Sequence, residues 1–205
     1  MYILTRQVPP GLLDVDAAER GRVFGRDHGP AGGRSVATWT ATFGAQSGSV
    51  RWTLRVDHLS HLQNWVDSAR GYGTSAPHPD GDRRRSDVTD IVAEVLMQTG
   101  DSTSTRFTAV TTARCAPGYG AEAMAWGSDL TRLVADLIDR PITFVRTVFG
   151  PASELAWHVD LADLDDVERF DRLATTDPAW IETTGDGGGY FLPDAFDHQL
   201  WRWIR

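Results

Sequence analysis

One spacing constrains this chain more than any other feature. The stretch "FGAQSGSVRWTLRVDHLSHLQNWV" at 43–66 is echoed by "FGPASELAWHVDLADLDDVERF" at 149–170. Trp52 and Trp157 stand 105 residues apart, and at the same offset Val50, Leu54 and Val56 meet Leu155, Val159 and Leu161. Leu59, Leu62 and Trp65 then meet Leu164, Val167 and Phe170. Phe43-Gly44 matches Phe149-Gly150 at offset 106, and Pro10-Gly11 matches Pro117-Gly118 at offset 107. An ordered run of Gly, Pro and Trp with a slowly drifting offset reads as one unit written twice. The period is too long for a solenoid and fits two fused units, with residues 1–100 as the first and 105–205 as the second.

Each unit has the same expected order. Tyr2–Val8 alternates as a strand. Residues 12–24 form a weak helix candidate, with Asp14 and Asp16 near its start. The segments 35–43 and 50–56 alternate at period two around a turn, the pattern of a hairpin. Leu59, Leu62, Trp65, Val66 and Ala69 share one helical face, and Ile91, Ala93, Val95 and Met97 alternate as a fourth strand. In the second unit Phe107–Cys115 is a strand. Trp126, Leu130, Leu133, Val134, Leu137 and Ile138 form an amphipathic stripe that stops at Asp139-Arg140-Pro141. Segments 142–149 and 155–161 form the hairpin, Asp163 suits a helix N-cap, and 196–204 closes the unit. The order is βαββαβ, the ferredoxin-like arrangement, with helices on one face of a four-stranded sheet. Two such sheets can bury their bare faces against each other. The expected fold class is therefore α+β: two fused ferredoxin-like repeats forming a pseudo-dimeric α/β barrel.

The segment "PITFVRTVFGPASELAWHVDLADLDDVERFDRLATTDPAWIE", with its Asp177-Pro178-Ala179-Trp180 step, resembles the NIPSNAP-type and antibiotic-biosynthesis-monooxygenase-type domains of the dimeric α/β-barrel superfamily. The resemblance covers roughly residues 107–192 and, more faintly, 2–97. It implies a ligand pocket between each sheet and its helices. That superfamily includes cofactor-independent monooxygenases, polyketide cyclases, haem-degrading enzymes, stress-response domains and proteins with no known activity, and fold analogy does not choose among them.

Composition excludes several functions. The net charge of −8 is a poor basis for binding a phosphate backbone, so no nucleic-acid partner is expected. The one basic cluster, Arg83-Arg84-Arg85, sits in a Pro/Gly/Asp-rich loop. The sequence has no lysine, which removes Schiff-base, Walker-type and pyridoxal-phosphate chemistry. No apolar run approaches the roughly 20 residues that span a bilayer, and Met1–Arg6 reads as a strand rather than a leader, so no membrane contact is expected. The single cysteine, Cys115, allows no internal disulfide and points to a reducing, cytoplasmic setting. It continues a strand pattern and reads as a buried thiol.

The chemistry candidates are few. His158 and Asp160 share one face of their strand, opposite Trp157, Val159 and Leu161. The matching face of the first unit carries Arg51, Thr53 and Arg55. These groups close on one another as a buried ion network, sit at exposed edge positions, or serve a reaction. In the last case, His158 is a general base oriented by Asp160, with Arg55 or Arg146 stabilising an anion. Arg146 shares a face with Ile142, Phe144 and Val148, so it either pairs with a helix carboxylate or faces a cavity. His58 and His61 lie three apart, but a metal site is not expected, and no cofactor is expected either. The glycines of 118–120 lack a phosphate-loop order, and Gly187–Gly189 suit a helix stop.

Trp52, Trp65, Trp126 and Trp157 fall on expected core positions, and such residues can also wall a flat aromatic pocket. The loop 70–87 is long enough to act as a lid. The expected partner is a small hydrophobic or aromatic molecule. The expected function is a cofactor-independent monooxygenase or cyclase of specialised metabolism, acting as a monomer or homodimer. A non-catalytic binding protein and a haem-binding protein are the alternatives.

Overall fold

The computed structural model describes residues 1–10, 36–63, 89–101 and 105–204. Its eight strands are β1 (Tyr2–Val8), β2 (Ala37–Phe43), β3 (Val50–Val56), β4 (Thr89–Thr99), β5 (Phe107–Arg114), β6 (Ile142–Phe149), β7 (Glu154–Leu161) and β8 (Asp197–Ile204). They close into a barrel in the order β1-β3-β2-β8-β5-β7-β6-β4. Within that ring β4-β1-β3-β2 and β8-β5-β7-β6 follow the same rule, fourth strand, first, third, second. Each is the sheet of a ferredoxin-like unit. The two sheets join at equivalent seams, β2 against β8 and β4 against β6, all antiparallel. The fold is thus two fused ferredoxin-like repeats forming an α/β barrel.

The described helices belong to the second unit: α1 (Gly120–Ile138), α2 (Leu164–Thr176) and α3 (Pro178–Gly187). α1 ends where Asp139 enters the left-handed region at φ 53° and its N–H bonds Ala135 O, just before Pro141. The Asp163 side chain accepts from Asp166 N at 3.0 Å and starts α2. Asp177 does the same for α3 by accepting from Trp180 N at 3.0 Å, with Pro178 in the first turn, where its missing N–H costs nothing. α3 lies outside the βαββαβ pattern. Its carbonyl at Thr183 accepts from Trp126 Nε1 at 2.8 Å and ties it to α1.

The main core lies between these helices and the outer face of β5–β8. Phe144 stacks on Trp157 with ring centroids 4.9 Å apart, and Trp126 meets Trp157 edge-on at 5.9 Å. Leu155, Val159, Leu161, Ile142, Leu130, Val134 and Ile138 are buried around them. Burying each large apolar side chain stabilises by about 1.5–3 kcal/mol. The expected pocket between sheet and helices is therefore absent from the second unit, because that space is filled by side chains. Cys115 is buried in this core, and burial raises its thiol pKa, so it is an inert thiol.

In the first unit, the expected helix 12–24, the lid loop 70–87, the Arg83–Arg85 cluster and most of the helix expected after Leu59 lie outside the described residues. The described part of that last segment is a 3-10 turn, Leu59–Leu62, with Leu62 buried and Leu59 exposed. No described helix is long and apolar enough to cross a membrane.

Candidate functional site

Strand alternation sends one set of side chains under the helices and the other into the barrel. Part of the lumen is apolar: Ile3, Ala93, Val145 and Ala156 pack together between β1, β4, β6 and β7. The rest is a cavity of about 560 Å³. Its wall includes Arg51, Thr53 and Arg55 from β3, His158 and Asp160 from β7, Thr108 from β5, and Trp39 and Trp203 from β2 and β8. Both units thus line one shared cavity. A recess of about 150 Å³ adjoins it through Thr105 and Asp160 and reaches Arg140, which is paired with Asp166 at 2.8 Å.

The expected juxtaposition of His158 and Asp160 with Arg51 and Arg55 is present on this wall. Its bonding differs from an ion network. Arg51 Nη2 donates to Gln7 Oε1 at 3.1 Å and to Gln199 Oε1 at 3.0 Å. Its guanidinium carbon lies 4.1 Å from the centroid of the Trp201 ring. Arg55 donates to Gln98 Oε1 at 3.0 Å and to Thr143 Oγ1 at 3.2 Å. Neutral amides and a hydroxyl hold the guanidinium groups by dipole, leaving their charge to act on the cavity. Burial lowers the Arg51 pKa to about 10, against the pull of Asp197 and Glu154, so it stays charged at neutral pH. For His158, burial first, then Arg51 and Arg55, lower the pKa to about 3. Its side chain opens on the cavity yet is surrounded by the barrel wall. His158 is therefore a neutral imidazole beside two cations.

Arg146 is not part of this wall. It lies on the outer face of β6, exposed, with Nε donating to Glu94 Oε2 at 2.6 Å on the neighbouring strand β4. The partner is a strand carboxylate, where the sequence pattern suggested a helix. Ile142 and Phe144 on the same face are covered by α1, whereas Arg146 lies further along the strand and reaches solvent.

The aromatic wall is also built from other residues than expected. Trp157 and Trp126 are core, and Trp65 lies outside the described residues. Trp39 and Trp203 face the cavity as a cross-strand pair, with centroids 6.3 Å apart, and Trp39 Nε1 donates to Thr53 Oγ1 at 3.0 Å. The signal was present: Trp39 alternates with Thr38 and Thr40, and Trp203 stands two residues from Trp201 on the closing strand. His58 and His61 meet edge-on at 5.4 Å, and among the described residues no group of three His, Cys, Asp or Glu side chains is placed to hold a metal ion.

No protein-family model and no curated protein matches the sequence. Solved structures do match. An anthrone oxidase-like protein superposes with TM-score 0.68 at 10% identity, covering 100% of this chain and 91% of the other. A major regulator of staphylococcal pathogenesis gives 0.63 at 10% identity over 100% of both chains. A ferredoxin-fold protein of Listeria monocytogenes related to antibiotic biosynthesis monooxygenases gives 0.56 at 7% identity, covering 100% and 95%. At such identities the likeness is one of fold, and the chain has the ferredoxin-like α/β-barrel fold.

Proposed function

We propose that this chain is a cofactor-independent enzyme of monooxygenase or cyclase type, acting on a small aromatic or polyketide-like molecule. The observation that carries this reading is the cavity itself. One shared cavity joins an indole pair, two guanidinium groups and a neutral imidazole. In the proposed reaction a phenol or enol of the substrate gives its proton to His158, and the resulting anion lies against Arg55. The pKa of about 3 makes His158 a weak base toward water. Burial is the main cause of that low pKa and the two arginines add to it; a substrate anion at Arg55 offsets the arginines' share and pairs with the imidazolium, which therefore forms only together with that anion. Asp160, two residues along the same wall, steadies the imidazolium. In an oxygenation, the delocalised anion reduces O2 at a ring CH2, and the hydroperoxide loses water to leave a carbonyl. Arg146 has no part in this scheme.

A non-catalytic binding protein is the second reading. It is favoured by the low basicity of His158 and by the regulator that shares the fold. The two separate in one experiment. Phenolic anthrones are mixed with the protein in air, and oxygen uptake and binding are followed for wild type and His158→Ala. The enzyme reading expects uptake without added cofactor, and a variant that binds with uptake reduced by about 100-fold or more. Binding without uptake in both proteins leaves the binding reading. A Soret shift on titration with haemin, lost in His158→Ala, would assign the cavity to haem instead.

A further inference from the structure

Two donors in the deep part of the cavity wall have no role in the proposed reaction. Arg51 is only 7% exposed, and Trp201, against which its guanidinium packs, is fully buried. Both Arg51 hydrogen bonds, to Gln7 and Gln199, leave from Nη2. Its Nε–H is buried and has no acceptor. The Thr108 hydroxyl, on a residue 4% exposed, is likewise buried without a partner. In the strand register Thr108 stands opposite Trp201 on one side and Asp160 on the other. The two orphan donors therefore flank one indole, and His158 is the next lumen-facing residue beyond Asp160 on β7. A buried donor without an acceptor costs about 1–3 kcal/mol, and native structures rarely carry two in one place without a use.

The group that fits two such donors on one wall, one of them on a guanidinium, is a planar anion with two oxygens. A carboxylate accepts from both donors and can take a third hydrogen bond from neutral His158. A phenolate offers one oxygen for two donors. A phosphate brings a second negative charge onto a wall where Asp160 already stands. Asp197 and Glu154 act on Arg51 from the opposite end of the barrel, outside the cavity lining. Among the described residues the lining carries Arg51, Arg55 and the carboxylate of Asp160.

We propose that the cavity takes an aromatic monocarboxylate, with the carboxylate received by Arg51, Thr108 and His158 and the ring body by Trp39 and Trp203. This rests on the lumen being a small-molecule site, as in the proposed function, and narrows the class of molecule.

The test uses the full chain and four probes of one ring system: naphthoate, naphthamide, naphthol and naphthyl phosphate, titrated by calorimetry and by quenching of tryptophan emission. Naphthoate is expected to bind about tenfold or more tighter than the amide and the naphthol. Thr108→Val is the decisive variant, because it removes only a hydroxyl that has no partner. It should keep or raise the melting temperature, weaken naphthoate by about threefold or more, and leave naphthol unchanged. Arg51→Gln should abolish the preference, provided that it folds. The proposal is overturned if naphthoate shows no saturable binding, if amide or phosphate binds as well, or if Thr108→Val affects all probes alike. Oxygen uptake with phenols is scored separately. Carboxylate preference without uptake removes the enzyme reading alone, whereas uptake with uncharged phenols preferred removes this one alone.

Discussion

His158 couples the folded state to pH, and the sign follows from its surroundings. Its pKa falls from 6.5 to about 3 on folding, through burial and then through Arg51 and Arg55. Between those values the unfolded chain holds a proton that the folded chain does not. Stability is full above about pH 6.5 and is lost as pH falls toward 3, by about 1.4 kcal/mol per unit inside that window. Glu154 works in the opposite sense. Burial raises its pKa, so the folded state holds its proton more tightly and offsets part of the slope. His158→Gln removes one contribution and keeps the other. Its melting temperature should fall less than that of wild type between pH 6.5 and 4, and parallel profiles would place the acid sensitivity elsewhere. The position of His158 was legible because period-two alternation sorts Trp157, Val159 and Leu161 from His158 and Asp160. Arg146 was misread from the same rule. Alternation tells which residues share a face, but not how far along the strand a helix covers that face, and Arg146 lies past the end of the cover.

At the level of elements, the packing of α1 depends on a residue with no side chain. Gly127 lets the helix approach β6 and β7 closely enough for its carbonyl to accept from Trp157 Nε1 at 3.2 Å. A Cβ there would stand 2.9 Å from Trp157 Cζ2 and closer still to Phe144 Cζ, both in the stacked pair at the centre of the core. Intrinsic helix propensity favours alanine over glycine by about 1 kcal/mol. Overpacking a filled core costs about 1–3 kcal/mol, with more where neither ring can move. The clash wins here, so Gly127→Ala should lower stability by about 2 kcal/mol in chemical denaturation, and a neutral or stabilising result would show that α1 can shift outward. The α1 stripe, its stop at Asp139 and the cap at Asp163 were all readable, because each is set by local chemistry. The close approach at Gly127 was not, since it depends on two aromatic rings contributed by strands 17 and 30 residues downstream.

For the whole molecule, the offset repeat in the sequence raised the expectation of a barrel, and the two sheets of one strand order do close through equivalent seams. It did not forecast where the cavity would lie. The helix-covered face of each sheet reads as the ordinary place for a pocket, whereas the shared lumen exists only once both units are present. Its chemistry is divided the same way. At the offset of 105, Asp160 stands where the first unit has Arg55, and Ala156 stands where it has Arg51. Neither unit lines the cavity alone. We therefore expect units 1–100 and 105–205 to be separable in sequence but not in function. The fragment 105–205 exposes the free edges of β6 and β8 together with a bare lumen face, and two copies can join β6 to β8 as the intact chain joins β2 to β8. It should sediment as a dimer with the near-ultraviolet dichroism of a packed Trp157–Phe144 core, and it should bind no naphthoate, because Arg51 and Arg55 are missing. Co-expression with 1–100 should give a one-to-one complex that regains binding. A folded, monomeric 105–205 fragment would mean that the closed barrel is not what holds the second unit together, and one that bound naphthoate would place the anion site outside the shared lumen.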